Sequence, residues 1–135
     1  GFSAGGYLGA QVSNIFKPAY APIDAIDQVS SRPDFALLFF PGHLCRAGDT
    51  LDPEIKVSAK TPPTFLLQAW DDPVDKICNS TLYLRALNAA NVPAEVHLFA
   101  TGGHAFGLRR DHSPDTVWPS LVENWLKDIK ILQRQ

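Results

Sequence analysis

The chain has 135 residues, room for one compact domain, and its 45% hydrophobic and 19% charged content excludes disordered and collagen-like architectures. A net charge of −2 gives no basic surface for nucleic acid or for an anionic membrane. The longest apolar runs are strand-sized, far below the roughly 20 residues of a membrane helix, and the two cysteines stand in no metal-ligand spacing.

In chain order the pattern alternates helix and strand. Ser3 to Phe16 carries Tyr7, Leu8, Val12, Ile15 and Phe16 at near-helical spacing and stops at Lys17-Pro18. A polar connector leads to Phe35–Phe40, unbroken apolar and bounded by Pro33 and Pro41-Gly42, which predicts a strand buried on both faces. The stretch from His43 to Pro63 is polar and proline-punctuated and is expected to be mostly loop. Thr64 to Trp70 is a second buried strand. A helix follows from Lys76 or Ile77 to Ala90, with Leu82, Leu84 and Leu87 inward and Arg85 and Asn88 outward. Ala94 to Ala100 alternates as a third strand, and Asp115 to Leu132 closes as a helix with Val117, Leu121, Trp125 and Ile129 on one stripe. This order predicts an α/β fold, a parallel sheet covered by helices on both faces, with working residues in loops at the strand carboxyl ends.

Three short motifs fall at such places. Gly1-Phe2-Ser3-Ala4-Gly5 matches G-x-S-x-G, in which small neighbours let a serine sit on a sharp strand-to-helix turn. By chance the motif arises in about 4% of chains this long, so alone it is weak, and a simple helix N-cap is the bland alternative for Ser3. Asp71-Asp72-Pro73 follows the second strand and Gly102-Gly103-His104 follows the third. The order Ser, Asp, His is that of the α/β-hydrolase triad, and each interval is long enough for a strand and its crossover. The roles assigned are nucleophile for Ser3, acid for Asp72 and base for His104, with the Ala4 N–H as oxyanion donor. Asp71 and Asp75 stand as alternatives for the acid; Asp72 is favoured because Pro73 holds the preceding residue extended. Trp70 borders the acid loop and is assigned to a substrate pocket or, equally, to the core. Trp118 and Trp125 read as core. His43, His97 and His112 read as surface or packed residues, with a pocket rim as the alternative for His43. Cys45 and Cys78 read as free thiols, a bridge between them being the alternative if their loops adjoin in an oxidising compartment, and no metal or cofactor is called for.

The stretches Gly1 to Gly6, Pro62 to Val74 and Gly102 to Arg109 resemble bacterial α/β-hydrolases of the acetyl-xylan-esterase-like, or sugar acetyl esterase, group. Val92 to Phe99 and Trp118-Pro119 to Trp125-Leu126 carry the same likeness. The resemblance implies residues 1–135 to be one partial domain, the carboxyl-terminal part of an α/β-hydrolase fold beginning at the nucleophile elbow. It implies Ser3, Asp72 and His104 as the triad. The strand feeding Gly1 and the H-G-G-type loop with the second oxyanion donor are then expected upstream. Tyr7 stands where many relatives carry histidine, so it is assigned to the substrate pocket. The implied function is a serine esterase deacetylating a carbohydrate or similar small ester. The alternatives are a serine peptidase of the prolyl-oligopeptidase type and a truncated, non-catalytic remnant. Expressed alone, the segment is expected to aggregate or to hydrolyse esters barely above background, since loss of one oxyanion donor costs about 100- to 1000-fold.

Overall fold

A computed structural model describes residues 1–108 and 114–133. Its centre is a three-stranded parallel sheet in the order β1-β4-β5, formed by β1 (Ala36–Phe39), β4 (Thr64–Ala69) and β5 (Ala94–Phe99). The register runs Ala36↔Thr64 to Phe39↔Leu67 and Thr64↔Ala94 to Ala69↔Phe99. All six residues of β4 are buried, as expected for the central strand of a parallel sheet covered on both faces. The first residues extend the sheet beside β1. Phe2 bridges Phe39 in parallel, the Gly1 ammonium donates to the Leu37 carbonyl at 2.8 Å, and the Phe39 N–H donates to the Gly1 carbonyl at 2.9 Å.

Residue parity sorts the two faces. Ala36, Leu38 and Leu66 pack with Ala10, Tyr83 and Leu87, from α1 (Ala4–Val12) and α2 (Cys78–Ala89). Phe39, Phe65 and Leu67 pack with Val122 and Trp125 of α3 (Trp118–Asp128). Helices therefore cover both faces, as expected, and burying each such large side chain contributes about 1.5–3 kcal/mol.

Several boundaries differ from expectation. The first helix ends at Val12 rather than Phe16. There the Ser13 hydroxyl joins its own N–H on the Gly9 carbonyl, and the Asn14 side-chain amide takes the Ala10 carbonyl at 2.7 Å while the Asn14 N–H turns to Gln11, which breaks the ladder before Pro18 is reached. In α2 Tyr83 is fully buried with Leu87, whereas Leu82 and Leu84 are half-buried; Arg85 and Asn88 face outward as predicted. The last helix begins with a 3₁₀ turn over Pro114–Val117, and Val122 replaces Val117 in its buried stripe.

The expected loop after β1 contains a two-residue hairpin, β2 (Cys45–Arg46) with β3 (Thr50–Leu51). The expectation of free thiols is corrected here. The hairpin lays Cys45 over the start of α2, where it forms a disulfide with Cys78 across a Cα–Cα distance of 5.7 Å. The Cys45 N–H donates to the Asn79 side-chain oxygen at 2.8 Å, a second tie between the same elements. The opposite side of the hairpin is held by Asp52, which accepts from the Arg46 guanidinium and from the Tyr7 hydroxyl.

Candidate active site

Ser3 occupies a backbone conformation that L-residues avoid, φ 51° and ψ −117°, at an expected cost of about 1–3 kcal/mol. Hydrogen bonds on both sides hold it there. Its N–H donates to the Phe39 carbonyl at 3.0 Å, and its carbonyl accepts from the N–H groups of Gly6, Tyr7 and Gly42. The motif glycines divide unequally. A Cβ at Gly1 would lie 2.0 Å from the Gly5 carbonyl oxygen, and one at Gly6 2.9 Å from Pro41 Cα, but one at Gly5 meets nothing within 4 Å. Close packing thus falls on Gly1 and on Gly6, one residue beyond the motif. Ala4 heads α1, where backbone N–H groups lack intrahelical acceptors.

Because Ala69 and Phe99 are register partners at the carboxyl ends of β4 and β5, the loops that follow are neighbours. The acid loop folds on its own carboxylate. Asp72 Oδ1 accepts from the Val74 and Asp75 N–H groups, each at 2.9 Å, leaving Oδ2 for His104 Nδ1 at 2.8 Å. That side chain is 1% exposed. On the far edge of the ring, His104 Nε2 lies 3.0 Å from Ser3 Oγ. Asp71 does something different: it accepts the Gly103 N–H at 2.8 Å and so holds the backbone of the histidine loop. The aspartate doublet grips that loop twice, once by its main chain and once by its ring. Phe40 completes the seat, its ring edge-on to the imidazole at a centroid distance of 4.9 Å.

Asp75 also lies beside the serine. Its Oδ2 accepts from Ser3 Oγ at 3.3 Å and stands 3.9 Å from His104 Nε2. On its outer side opens a cleft of about 540 Å³ lined by His43, Arg46, Asp49, Lys76 and Asn79 among others. The remaining residues that the sequence singles out scatter. Tyr7 commits its hydroxyl to Asp52 at 2.8 Å, and Asp52 together with burial raises its pKa. Trp70 is 68% exposed at the end of β4. His43 is exposed and packs edge-on against Tyr7, and His97 pairs with Glu95 at 2.6 Å. His112 lies outside the described residues. Among the described residues one group has metal-ligand proximity, Cys45, Asp49 and Cys78, and both of its sulfurs are committed to the disulfide.

Sequence reasoning missed two supports. Gln68, fully buried in β4, donates to the Asp75 carbonyl and accepts from the Ser80 hydroxyl, each at 2.5 Å, tying the acid loop to α2. A polar residue inside an otherwise apolar strand was the available signal. The second is Phe40, whose positive φ of 37° at the strand end no residue pattern announces.

No protein-family model matches the chain, and no curated protein matches it. Solved structures do. An acetyl ester-xyloside bifunctional hydrolase from Caldicellulosiruptor lactoaceticus is 34% identical with a TM-score of 0.83, over 96% of this chain and 55% of that one. A sugar hydrolase from Lactococcus lactis is 28% identical with a TM-score of 0.70, over 94% and 56%. An α/β hydrolase enzyme from a Medee basin deep-sea metagenome is 27% identical with a TM-score of 0.75, over 98% and 53%. The chain thus spans about half the length of these relatives. With its parallel sheet and flanking helices, it has the α/β-hydrolase fold of these neighbours over about half of their length.

Proposed function

We propose that this chain carries the nucleophile, acid and base of a serine ester hydrolase that removes small acyl groups, acetyl foremost, from a carbohydrate or similar small ester. The observation that supports it most is the unbroken line from Asp72 through His104 to Ser3, at 2.8 and 3.0 Å. In this reading Ser3 Oγ attacks the acyl carbon while His104 Nε2 takes its proton. The tetrahedral oxygen receives the Ala4 N–H at the head of α1, and His104 then returns the proton to the departing alcohol. Water repeats the sequence on the acyl-enzyme. Asp72 holds the Nδ1–H tautomer and balances the imidazolium, and its own fixation by two N–H groups keeps the ring from turning. The scheme uses no cofactor. The acetyl-sugar side of the proposal draws support from the 34% identity to a hydrolase of acetyl esters and xylosides.

The test belongs to the protein as naturally encoded, since the chain covers about half of its solved relatives. Acetate release from p-nitrophenyl acetate and from an acetylated xyloside is expected, and Ser3→Ala is expected to lower it about 10⁶-fold, to background. Undiminished release by Ser3→Ala would remove the proposal.

A further inference from the structure

We infer that Asp75 is a specificity-determining residue, whose carboxylate receives a hydroxyl group on the alcohol portion of the substrate. The inference rests on the esterase reading above and assigns that site a substrate feature. It starts from a conflict over one proton. Ser3 Oγ has a single hydrogen and two acceptors within reach, His104 Nε2 at 3.0 Å and Asp75 Oδ2 at 3.3 Å. A proton directed at Asp75 is not directed at the base. The triad acid needs no help from Asp75, because Asp72 already fills the Nδ1 side of the ring.

Asp75 is also not a chance surface acid. Its N–H is bound by Asp72 Oδ1 and its carbonyl by Gln68 Nε2, so its backbone is fixed on both sides. Its side chain is 15% exposed, and a Cβ at position 42 would sit 2.7 Å from Asp75 Oδ1, so the carboxylate has little room to swing away. Asp75 also lines the cleft of about 540 Å³.

A carboxylate so placed is well served by a donor that arrives with the substrate. A hydroxyl next to the scissile ester oxygen would donate to Asp75, and the Ser3 proton would then have His104 as its remaining acceptor. An alcohol without a donor leaves the competition in place and partly desolvates the carboxylate. The rest of the cleft favours a neutral polyol over a cation. Arg46 and Lys76 stand with Asp49, Asp75 and Asn79 around it, offering both donors and acceptors. An ammonium group would meet the two cations as well as the two anions.

Three acetate esters of similar size test this on the naturally encoded protein: 2-hydroxyethyl, n-propyl and 2-(dimethylamino)ethyl acetate. The wild type is expected to prefer the hydroxyethyl over the propyl ester about 10-fold in kcat/KM, the scale of one hydrogen bond to a charged acceptor. Asp75→Ala should bring that ratio to about one. Asp75→Asn, which keeps the shape and loses the charge, should give an intermediate ratio. A wild-type ratio near one overturns the inference, as does a ratio unchanged in Asp75→Ala or a preference confined to the dimethylamino ester. Fluorophosphonate labelling of Ser3 in the same samples separates the two levels. No labelling removes the hydrolase reading and this inference with it, whereas labelling without the preference removes the inference alone.

Discussion

The two loops that meet at Ser3 are built in opposite ways. The acid loop after β4 is self-contained: Asp72 collects two N–H groups of its own turn, and Gln68 and Ser80 tie that turn to α2. The histidine loop after β5 is held by outside groups. Asp71 takes its Gly103 N–H, Asp72 takes its imidazole, Phe40 abuts its ring, and the Trp118 indole donates to its Gly107 carbonyl at 3.1 Å. The His104 ring is therefore seated by groups outside its own loop, the two aspartates of the loop after β4 chief among them. Damage to either aspartate should be felt at the histidine, while damage within the histidine loop should leave the acid loop in place.

The strongest way to break this dependence is Asp72→Asn. The amide disturbs the tautomer and leaves the imidazolium uncompensated, and kcat is expected to fall about 10⁴-fold. Steady-state kinetics on the naturally encoded protein would show it; a loss below tenfold would mean that the histidine is seated by other groups. Next comes the bracing of α2 that supports the acid loop. Opening the Cys45–Cys78 disulfide, whose partners are 33 residues apart, is expected to cost about 3–4 kcal/mol in the chain-entropy account. Urea denaturation with and without reductant measures it, and an unchanged midpoint would show that the bridge does not constrain the unfolded chain.

Asp71→Asn sharpens the comparison at a smaller scale. It weakens a single charged hydrogen bond to the Gly103 N–H, so a loss of about tenfold in kcat/KM is expected. A loss as large as that of Asp72→Asn would make the two aspartates equal partners, contrary to their different contacts. The smallest effect is on acid stability. Asp52 accepts from the Glu54 N–H, and from Tyr7 and Arg46, which together hold its carboxyl below the ordinary 3.8. A depressed carboxyl stabilises the fold fully above pH 3.8 and loses that contribution as pH falls below it. Urea midpoints between pH 5 and pH 2 should therefore fall more steeply in the wild type than in Asp52→Asn. Equal slopes would contradict the Asp52 network.

Much of this was legible in the residues. The three sheet strands, both faces of the sheet and the Ser, Asp, His order follow from apolar runs and from small residues at strand ends, which are local signals. The doublet was harder. Asp71 and Asp72 are alike in composition, and only the turn, with Pro73 supplying no N–H, decides which carboxylate faces the ring. The disulfide and the position of Asp75 beside the serine could be named only as alternatives by local reading. Each depends on where the hairpin and the start of α2 come to rest, and that is set by tertiary contacts between residues far apart in sequence. The shortened α1 is a case of a side chain competing with the helix: the Asn14 amide took the Ala10 carbonyl, while the Asn14 N–H turned to Gln11.

Mapping a fluorophosphonate adduct by mass spectrometry on the naturally encoded protein tests the nucleophile assignment most directly. The expected result is one adduct, on the peptide containing Ser3, formed far more slowly in His104→Ala. An adduct on a different serine, or equal labelling rates in the wild type and His104→Ala, would contradict it.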